Sequence, residues 1–230
     1  MYKLHYLNMS YCYDHPRPAV ATDIVLFSIR EGRLMLLLVK RAHEPFAGAW
    51  ALPGGFVGID ENLETSALRE LEEETGVTGV YLEQLHTFGE SDRDPRGRVI
   101  SVAYYALTPS DRLYIHAASD AKAVAWFALE DLPPVAFDHE KVVNMAHRRL
   151  VAKLDYSTIA FQFMPEMFTL SELQAVYQII LGEELDKRNF RKGVLAMSCL
   201  EHTNERRRNG NHRPAQLYRL KSPGRVEFIK

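Results

Sequence analysis

Residues 55–77 read GFVGIDENLETSALRELEEETGV, and this stretch decides the fold of the first half of the chain. Its second part has apolar residues at helical spacing and ends on Gly76, a common C-terminal stop. The stretch therefore predicts a glycine-containing loop that leads into an amphipathic helix. Glu70, Glu73 and Glu74 occupy positions i, i+3 and i+4 of that helix, so their carboxylates lie on one face.

This acidic face indicates a site for a hard cation. Three like charges on one helix face repel one another and weaken the helix, and a divalent cation removes that penalty. Mg²⁺ favours carboxylate oxygens together with substrate phosphates, and a glycine loop lets the backbone approach both the metal and a diphosphate. The alternative is a solvated acidic helix whose glutamates bind no cation. We expect Glu72 to be a solvated residue of this kind.

The stretch fits the pattern G-x5-E-x7-R-E-U-x-E-E-x-G-U, in which U is apolar, at every fixed position, and it resembles the Nudix box. The resemblance implies that Glu70, Glu73 and Glu74 are catalytic residues that ligate Mg²⁺ with the Gly55 carbonyl. It also implies that Arg69 orients the carboxylates and that Gly54 and Gly55 approach the diphosphate. The fixed positions are Gly55, Glu61, Arg69, Glu70, Leu71, Glu73, Glu74, Gly76 and Val77.

The runs around this helix predict strands without strict alternation with helices, which favours an α/β fold. Together with the resemblance, they predict a Nudix α/β/α sandwich with a mixed sheet, whose first two strands form a hairpin. The expected strands lie at residues 20–29, 34–40, 51–57, 80–88, 99–107 and 123–128, and the expected helices at 63–76 and 139–154.

The segment DRDPRGRVIS, residues 92–101, resembles a motif of Nudix proteins that handle ADP-ribose and related nicotinamide-nucleotide products. Arg93, Arg96 and Arg98 are candidate phosphate contacts, because guanidinium groups neutralise phosphates without displacing a metal. Arg17 is a further candidate. A loop held by Asp–Arg pairs is the alternative structure, and a nucleoside triphosphate or a sugar nucleotide is the alternative ligand.

Whether the bound diphosphate is cleaved depends on a base that activates water. Glu90, Asp92 and Asp120 are candidates that the sequence does not rank. The complete motif favours at least residual hydrolysis without establishing it.

Charge is distributed unevenly along the chain. Residues 186–230 carry 12 Lys and Arg against 4 Asp and Glu, whereas the remaining residues carry 16 basic and 26 acidic side chains. An acidic body with a basic end indicates that the second half binds a polyanion. The alternatives are a solvated basic helix and a helical cap that aids dimerisation.

Helices at 170–181 and 187–200, followed by strands at 200–205 and 215–220, give the order of a winged helix-turn-helix. Basic residues cluster at the start of the second helix, where a recognition helix meets base edges, and in the hairpin turn, where a wing meets phosphates. The candidate DNA contacts are Lys187, Arg188, Asn189, Arg191, Lys192, Arg206, Arg207, Arg208, Asn211, His212 and Arg213.

Residues 168–220 resemble the C-terminal half of the Nudix-related transcriptional regulators called NrtR, and with the Nudix domain the likeness covers nearly the whole chain. The resemblance implies a bacterial repressor of NAD-metabolism genes whose Nudix domain senses ADP-ribose or a related nucleotide. Its partner is double-stranded operator DNA, and we expect a homodimer that reads two half-sites. The alternative is an Mg²⁺-dependent ADP-ribose pyrophosphatase whose C-terminal domain serves dimerisation.

We expect a Nudix domain over residues 1–137, a linker helix over 138–155 and a winged-helix domain over 156–230. Two distant cysteines, Cys12 and Cys199, predict no disulfide framework and favour the cytoplasm. All apolar runs are strand-sized, so no membrane association is expected. His139 and His147 lack metal-ligand spacing and are expected to be structural or interfacial.

Overall fold

The computed structural model describes residues 14–15, 17–109, 121–208 and 214–229. Two 3-10 turns, Leu129–Asp131 and Ile159–Phe163, accompany the regular elements. The helices and strands are β1 (Ala19–Arg30), β2 (Arg33–Arg41), β3 (Trp50–Ala51), β4 (Gly54–Phe56), α1 (Leu63–Thr75), β5 (Tyr81–Phe88), β6 (Val99–Thr108), β7 (Ala121–Ala128), α2 (His139–Leu154), α3 (Leu170–Leu181), α4 (Lys187–Ala196), β8 (Leu200–Arg207) and β9 (Ala215–Leu220).

The sheet is mixed, as the sequence predicts. Its strands follow the order β3-β2-β1-β6-β5, with β4 paired to β1 and β7 paired to β2. The β1–β6 pair is parallel and the other pairs are antiparallel. The predicted β1–β2 hairpin turns at Glu31 and Gly32, both with positive φ, which is the backbone geometry that matches the twist of paired strands.

Both faces of the sheet are buried. Ile24 and Leu26 pack against α1, whereas Val25 and Phe27 pack on the opposite side with α2. Alternate side chains of β1 thus serve two cores, which explains the continuous apolar run in its sequence. The result is the predicted α/β/α sandwich.

Local signals fix the ends of α1. The Asn62 side chain accepts a hydrogen bond from the Thr65 amide at 2.9 Å and so caps the helix start. Gly76, with a φ of 73°, ends the helix in the left-handed conformation. Ala67 and Leu71 are fully buried against the sheet, so the glutamates on the other side of the helix are directed toward the glycine loop.

Helix α2 has the bounds predicted for the linker, but it is packed along its length. Its buried residues Val143 and Leu150 belong to one core that also contains Tyr105 of the sheet and Phe168 and Leu173 of the C-terminal half. The helix therefore lies between the sheet and the helix-turn-helix and contacts both.

The C-terminal half forms the predicted winged helix. Thr169 and Glu172 make a reciprocal capping box at the start of α3, and Asp186 caps α4. Helix α4 ends at Ala196, four residues before the predicted end at Leu200, because Ser198 has a φ of 56°. Strands β8 and β9 form the wing hairpin. Among the described residues, no helix has the length and apolarity needed to cross a bilayer.

Candidate nucleotide site and nucleic-acid interface

Arg69 gathers the carboxylates of the motif. Its Nε and Nη2 donate to the two carboxylate oxygens of Glu61 at 3.0 and 2.7 Å. Its Nη1 donates to Glu70 at 2.8 Å and to Glu73 at 3.0 Å. The Arg69 hydrogen bonds, with that from the Gly58 amide, lower the pKa of Glu61 to about 2. The orienting role expected for Arg69 thus has a geometric basis.

The remaining glutamate of the motif faces the glycine loop. Glu74 Oε2 accepts a hydrogen bond from the Gly54 amide at 2.9 Å. Burial raises the pKa of Glu74 to about 7, and the nearby Glu70 charge adds to this increase. Burial also raises the pKa of Glu70. A Cβ at position 55 would lie 2.3 Å from Glu70 Oε1, so a side chain there would require the Glu70 carboxylate to move.

This arrangement provides donors for a hard divalent cation. Two partly buried carboxylates with raised pKa values face a glycine loop, and a bound cation reverses such shifts. In the described parts of the chain, no three acidic, histidine or cysteine side chains converge into a ready metal group. Arg69 holds the carboxylates of Glu70 and Glu73. Binding of a metal ion by these carboxylates would therefore require them to turn away from the guanidinium.

A cavity opens beside the glycine loop, and a buried charged network forms one of its walls. Arg93 donates to both carboxylate oxygens of Asp138, at 3.1 and 2.7 Å, and to Asp23 at 3.2 Å. Ser101 also donates to Asp23. His139 Nδ1 accepts the Leu52 amide at 3.0 Å, which leaves Nε2 facing Asp23 at 3.4 Å.

The buried carboxylate of Asp23 is stabilised by several neighbours. Burial acts to raise the pKa of Asp23, but His139, Ser101 and Arg93 together lower the pKa well below its usual range. Asp23 is therefore a carboxylate held ionised by its neighbours. Its partners fix the cavity wall in one geometry.

Aromatic and basic side chains line another part of the cavity. The Arg96 guanidinium lies 4.9 Å from the Phe56 ring centroid and 5.7 Å from that of Phe137. Arg41 lies 4.9 Å from the Phe137 ring centroid. Such a combination suits a ligand that carries both a flat ring and negative charge.

Some of the predicted ligand contacts lie together at the cavity, and others lie away from it. Gly54, Gly55, Arg93 and Arg96 line the cavity. Arg98 is exposed and donates to the carbonyls of Gly89 and Glu90. Arg17 is exposed on the segment before β1 and is not among the residues that line the cavity.

The predicted Asp–Arg pairing within the loop also occurs, because Arg96 pairs with Asp94 at 2.6 Å. The candidate bases Glu90 and Asp92 are exposed and are not among the cavity residues. Asp120 lies outside the described residues.

The cavity is also lined by residues that were not predicted from the sequence to belong to it, namely Asp23, Arg41, Phe137 and His139. Their positions in sequence carry no pattern, since contacts across the fold bring them together. His139 is buried and structural, as predicted, but it is also part of the cavity wall.

The basic residues of α4 form an exposed face. Its five predicted contacts, from Lys187 to Lys192, are all exposed at the N-terminal half of the helix. Phe190 instead packs against Tyr177 with ring centroids 5.2 Å apart, and Val194 is buried, whereas Leu195 is exposed. The helix therefore presents its cations outward and packs inward through Phe190 and Val194.

A cleft between α3, α4 and the wing is lined by Lys187, Arg191 and Arg207. Arg206 and Arg208 are exposed, whereas Arg207 is half-buried and pairs with Glu172 at 2.9 Å. The other predicted contacts of the wing, Asn211, His212 and Arg213, lie outside the described residues.

Comparison with known proteins agrees with this architecture. Residues 17–147 match the NUDIX domain model, and residues 160–220 match the model of the NrtR DNA-binding winged helix domain. Proteins with a Nudix domain generally use divalent metal ions. The chain is 40% identical over 211 residues to the ADPR responsive transcriptional repressor NtrR of Acinetobacter baylyi, a match that covers 90% of this chain and 84% of that protein.

The solved structures that are similar to the chain include two of one protein. The crystal structure of Shewanella oneidensis NrtR complexed with a 27mer DNA has a TM-score of 0.79 and 40% identity, and covers 88% of this chain and 93% of that one. The NUDIX domain of the same protein, complexed with ADP ribose, has a TM-score of 0.57 and 37% identity over 65% of this chain and 99% of that one.

Proposed function

Because this chain belongs to the NrtR family, in which a Nudix domain is joined to a winged helix, we propose that it is a transcriptional repressor controlled by ADP-ribose. The observation that carries the proposal is the position of α2. The first residue of this helix, His139, lines the nucleotide cavity. The buried residues of the same helix pack with those of α3. One rigid element thus contacts both functional regions.

The ligand that we propose is ADP-ribose together with Mg²⁺. Glu70, Glu73, Glu74 and the Gly55 carbonyl would hold the cation, which would offset the charge of the diphosphate. Arg96, beside Phe56, has the charge and the ring contact that an adenine nucleotide needs. Arg93 is committed to Asp23 and Asp138, so we assign it to the cavity wall.

The partner that we propose is double-stranded operator DNA, bound by a homodimer. The exposed face of α4 would enter the major groove, with Arg188, Asn189 and Arg191 directed at base edges. Arg206 and Arg208 would contact the backbone from the wing. Residues 1–137 and 156–230 are the two functional domains in this account, with α2 as their shared support. Control of genes for NAD metabolism is consistent with an ADP-ribose effector.

Coupling requires that the ligand bind the DNA-released state better than the DNA-bound state. A ligand that fills the cavity would shift the part of the wall formed by His139, the first residue of α2. Movement of α2 changes the orientation of the two winged helices of the dimer, and the half-sites are then no longer matched.

DNA binding is tested with the purified chain and a random-sequence duplex pool, across a salt series. Non-specific binding falls steeply with salt, whereas a selected operator stays tighter by about 10³-fold or more. A salt-resistant, sequence-selective complex supports the proposal. Equal loss from all duplexes contradicts it.

The complete carboxylate motif favours a second candidate function, hydrolysis of the ADP-ribose diphosphate. All fixed positions of the motif are present, and Arg69 holds three of the four glutamates in place. Incubation of ADP-ribose with the protein and Mg²⁺, followed by assay for AMP, tests this activity. Unchanged ADP-ribose over hours leaves the site a sensor alone.

A further inference from the structure

Arg206 and Arg207 end strand β8, Arg208 follows it, and the three arginines differ in their surroundings. Arg206 and Arg208 are exposed. Arg207 lies on the other face, where its Nη1 donates to Glu172 Oε1 at 2.9 Å and its Nη2 donates to the Met167 carbonyl at 3.1 Å. Arg206 and Arg208 therefore face solvent, whereas Arg207 faces the start of α3.

Glu172 is itself held at the start of α3. Its Oε2 accepts the Thr169 amide at 2.7 Å, while its own amide donates to Thr169 Oγ1 at 3.2 Å. Each oxygen of this carboxylate thus has a different partner, the helix cap on one side and the wing on the other. The wing is joined to the same segment a second time, by reciprocal backbone hydrogen bonds of 3.0 and 2.8 Å between Phe168 and Tyr218.

At a DNA-binding surface, the negative charge of Glu172 is unfavourable unless a cation such as Arg207 neutralises it. Glu172 is the only acidic side chain among the described residues that line the cleft with Lys187 and Arg191. A free carboxylate there repels phosphates, whereas one paired with Arg207 is neutralised. The pair therefore removes a repulsive charge and fixes the wing on the helix-turn-helix.

We propose that Arg207 and Glu172 are positioning residues for DNA recognition, which set the wing relative to α4 without contacting DNA. Arg206 and Arg208 are then the phosphate contacts of the run. The inference rests on the proposed DNA-binding function, and it assigns opposite roles to adjacent residues of one type.

The first test measures operator affinity across a salt series for Arg206→Gln, Arg207→Gln and Arg208→Gln. Loss of one phosphate contact lowers the slope of log K against log salt by about 0.9. We expect this reduction for Arg206→Gln and Arg208→Gln. Arg207→Gln should weaken binding about three- to tenfold, since a pair of this exposure contributes modestly. Because this change also frees the Glu172 carboxylate, the slope is compared in the double variant with Glu172→Gln, which carries neither charge and should keep the wild-type slope. A slope of the double variant that is reduced as in Arg206→Gln overturns the inference.

The second test uses the sign of the change in Glu172→Gln. Glutamine preserves the capping box, because Gln serves at this position as Glu does. If Glu172 acts only as a negative charge near DNA, its removal strengthens binding. We expect weaker binding instead, and we expect the double variant with Arg207→Gln to bind no worse than Arg207→Gln alone, as for residues that act as one unit. Stronger binding by Glu172→Gln overturns the inference.

The two proposals fail in distinguishable ways. If the wild-type chain shows no sequence-selective binding, the proposed function fails and the inference fails with it. If the wild type binds selectively but the double variant of Arg207→Gln and Glu172→Gln has the reduced slope of Arg206→Gln, only the inference fails. Nucleotide binding by every variant, measured in parallel, confirms that the changes are confined to the wing.

Discussion

Arg93 and Asp138 form a buried ion pair with two hydrogen bonds, of 3.1 and 2.7 Å, between residues 45 positions apart. Asp138 directly precedes α2, and Arg93 belongs to the loop beside the glycine motif. The pair therefore ties the nucleotide cavity to the start of the helix that supports the DNA-binding half. Asp23 on β1 completes the link to the sheet.

Replacement of Arg93 by Met should destabilise the fold strongly. It leaves Asp23 and Asp138 buried without their cation, and breaking a buried pair in this way costs about 3–5 kcal/mol. Arg33→Met is the control, since Arg33 pairs with exposed Glu130 and Asp131 and its loss should leave the stability nearly unchanged. Urea unfolding at pH 7 measures both, and equal effects contradict the assignment of Arg93 to the wall.

The pKa of Glu74 predicts a stability change with pH in metal-free protein. Burial raises the pKa of Glu74 from 4.5 to about 7 on folding. Between these values the folded chain binds more protons than the unfolded chain, so the contribution of Glu74 to the free energy of unfolding falls as pH rises. Glu74→Gln removes this loss, and its advantage over wild type should grow from near zero at pH 4.5 to on the order of 3 kcal/mol at pH 8. Glu72→Gln, at an exposed position of the same helix, is the matched control. A constant difference across this pH range contradicts the burial of an ionised Glu74.

Much of the fold follows from local patterns in the sequence. The spacing of apolar residues and the glycine stop predict α1, and the Thr169 and Gly182 caps bound α3. The Nudix motif and the basic wing place the two functional regions. These features depend on contacts within a few residues, which a sequence displays directly.

The cavity wall depends on contacts that the sequence does not display. Asp23 and Arg93 are 70 positions apart, and Leu52 and His139 are 87 apart. Arg207 differs from Arg206 only by the face of the strand on which it lies. Such distinctions arise from the register of the sheet and from packing, so residue type alone predicted one role for all three wing arginines.

Glu73→Gln should impair the response to metal without unfolding the winged helix. One ligand of the proposed Mg²⁺ site is lost, and we expect metal-dependent ADP-ribose binding to weaken on the order of tenfold or more. Glu72→Gln lies one residue away, is exposed and has a variable position in the motif, so it is the matched control. Calorimetry with and without Mg²⁺ measures the difference. Equal binding by both variants contradicts the metal assignment.

Arg188→Gln and Arg191→Gln should each weaken operator binding by about 1–3 kcal/mol if they meet base edges, and the pair should abolish selective binding. Nucleotide binding should be unchanged, because α4 lies outside the cavity. Arg148→Gln, an exposed arginine of α2, is the control. Fluorescence anisotropy with the selected duplex measures the effect, and wild-type affinity in the double variant means that another element reads the DNA.

The central claim is that occupancy of the nucleotide cavity lowers affinity for DNA. The direct measurement is titration of ADP-ribose, with Mg²⁺ present, into a fluorescently labelled complex of the protein with its selected duplex. Our account predicts a saturable release of DNA that is weakened in Glu73→Gln and retained in Glu72→Gln. DNA affinity that stays constant while calorimetry shows ADP-ribose bound to the same protein would contradict it.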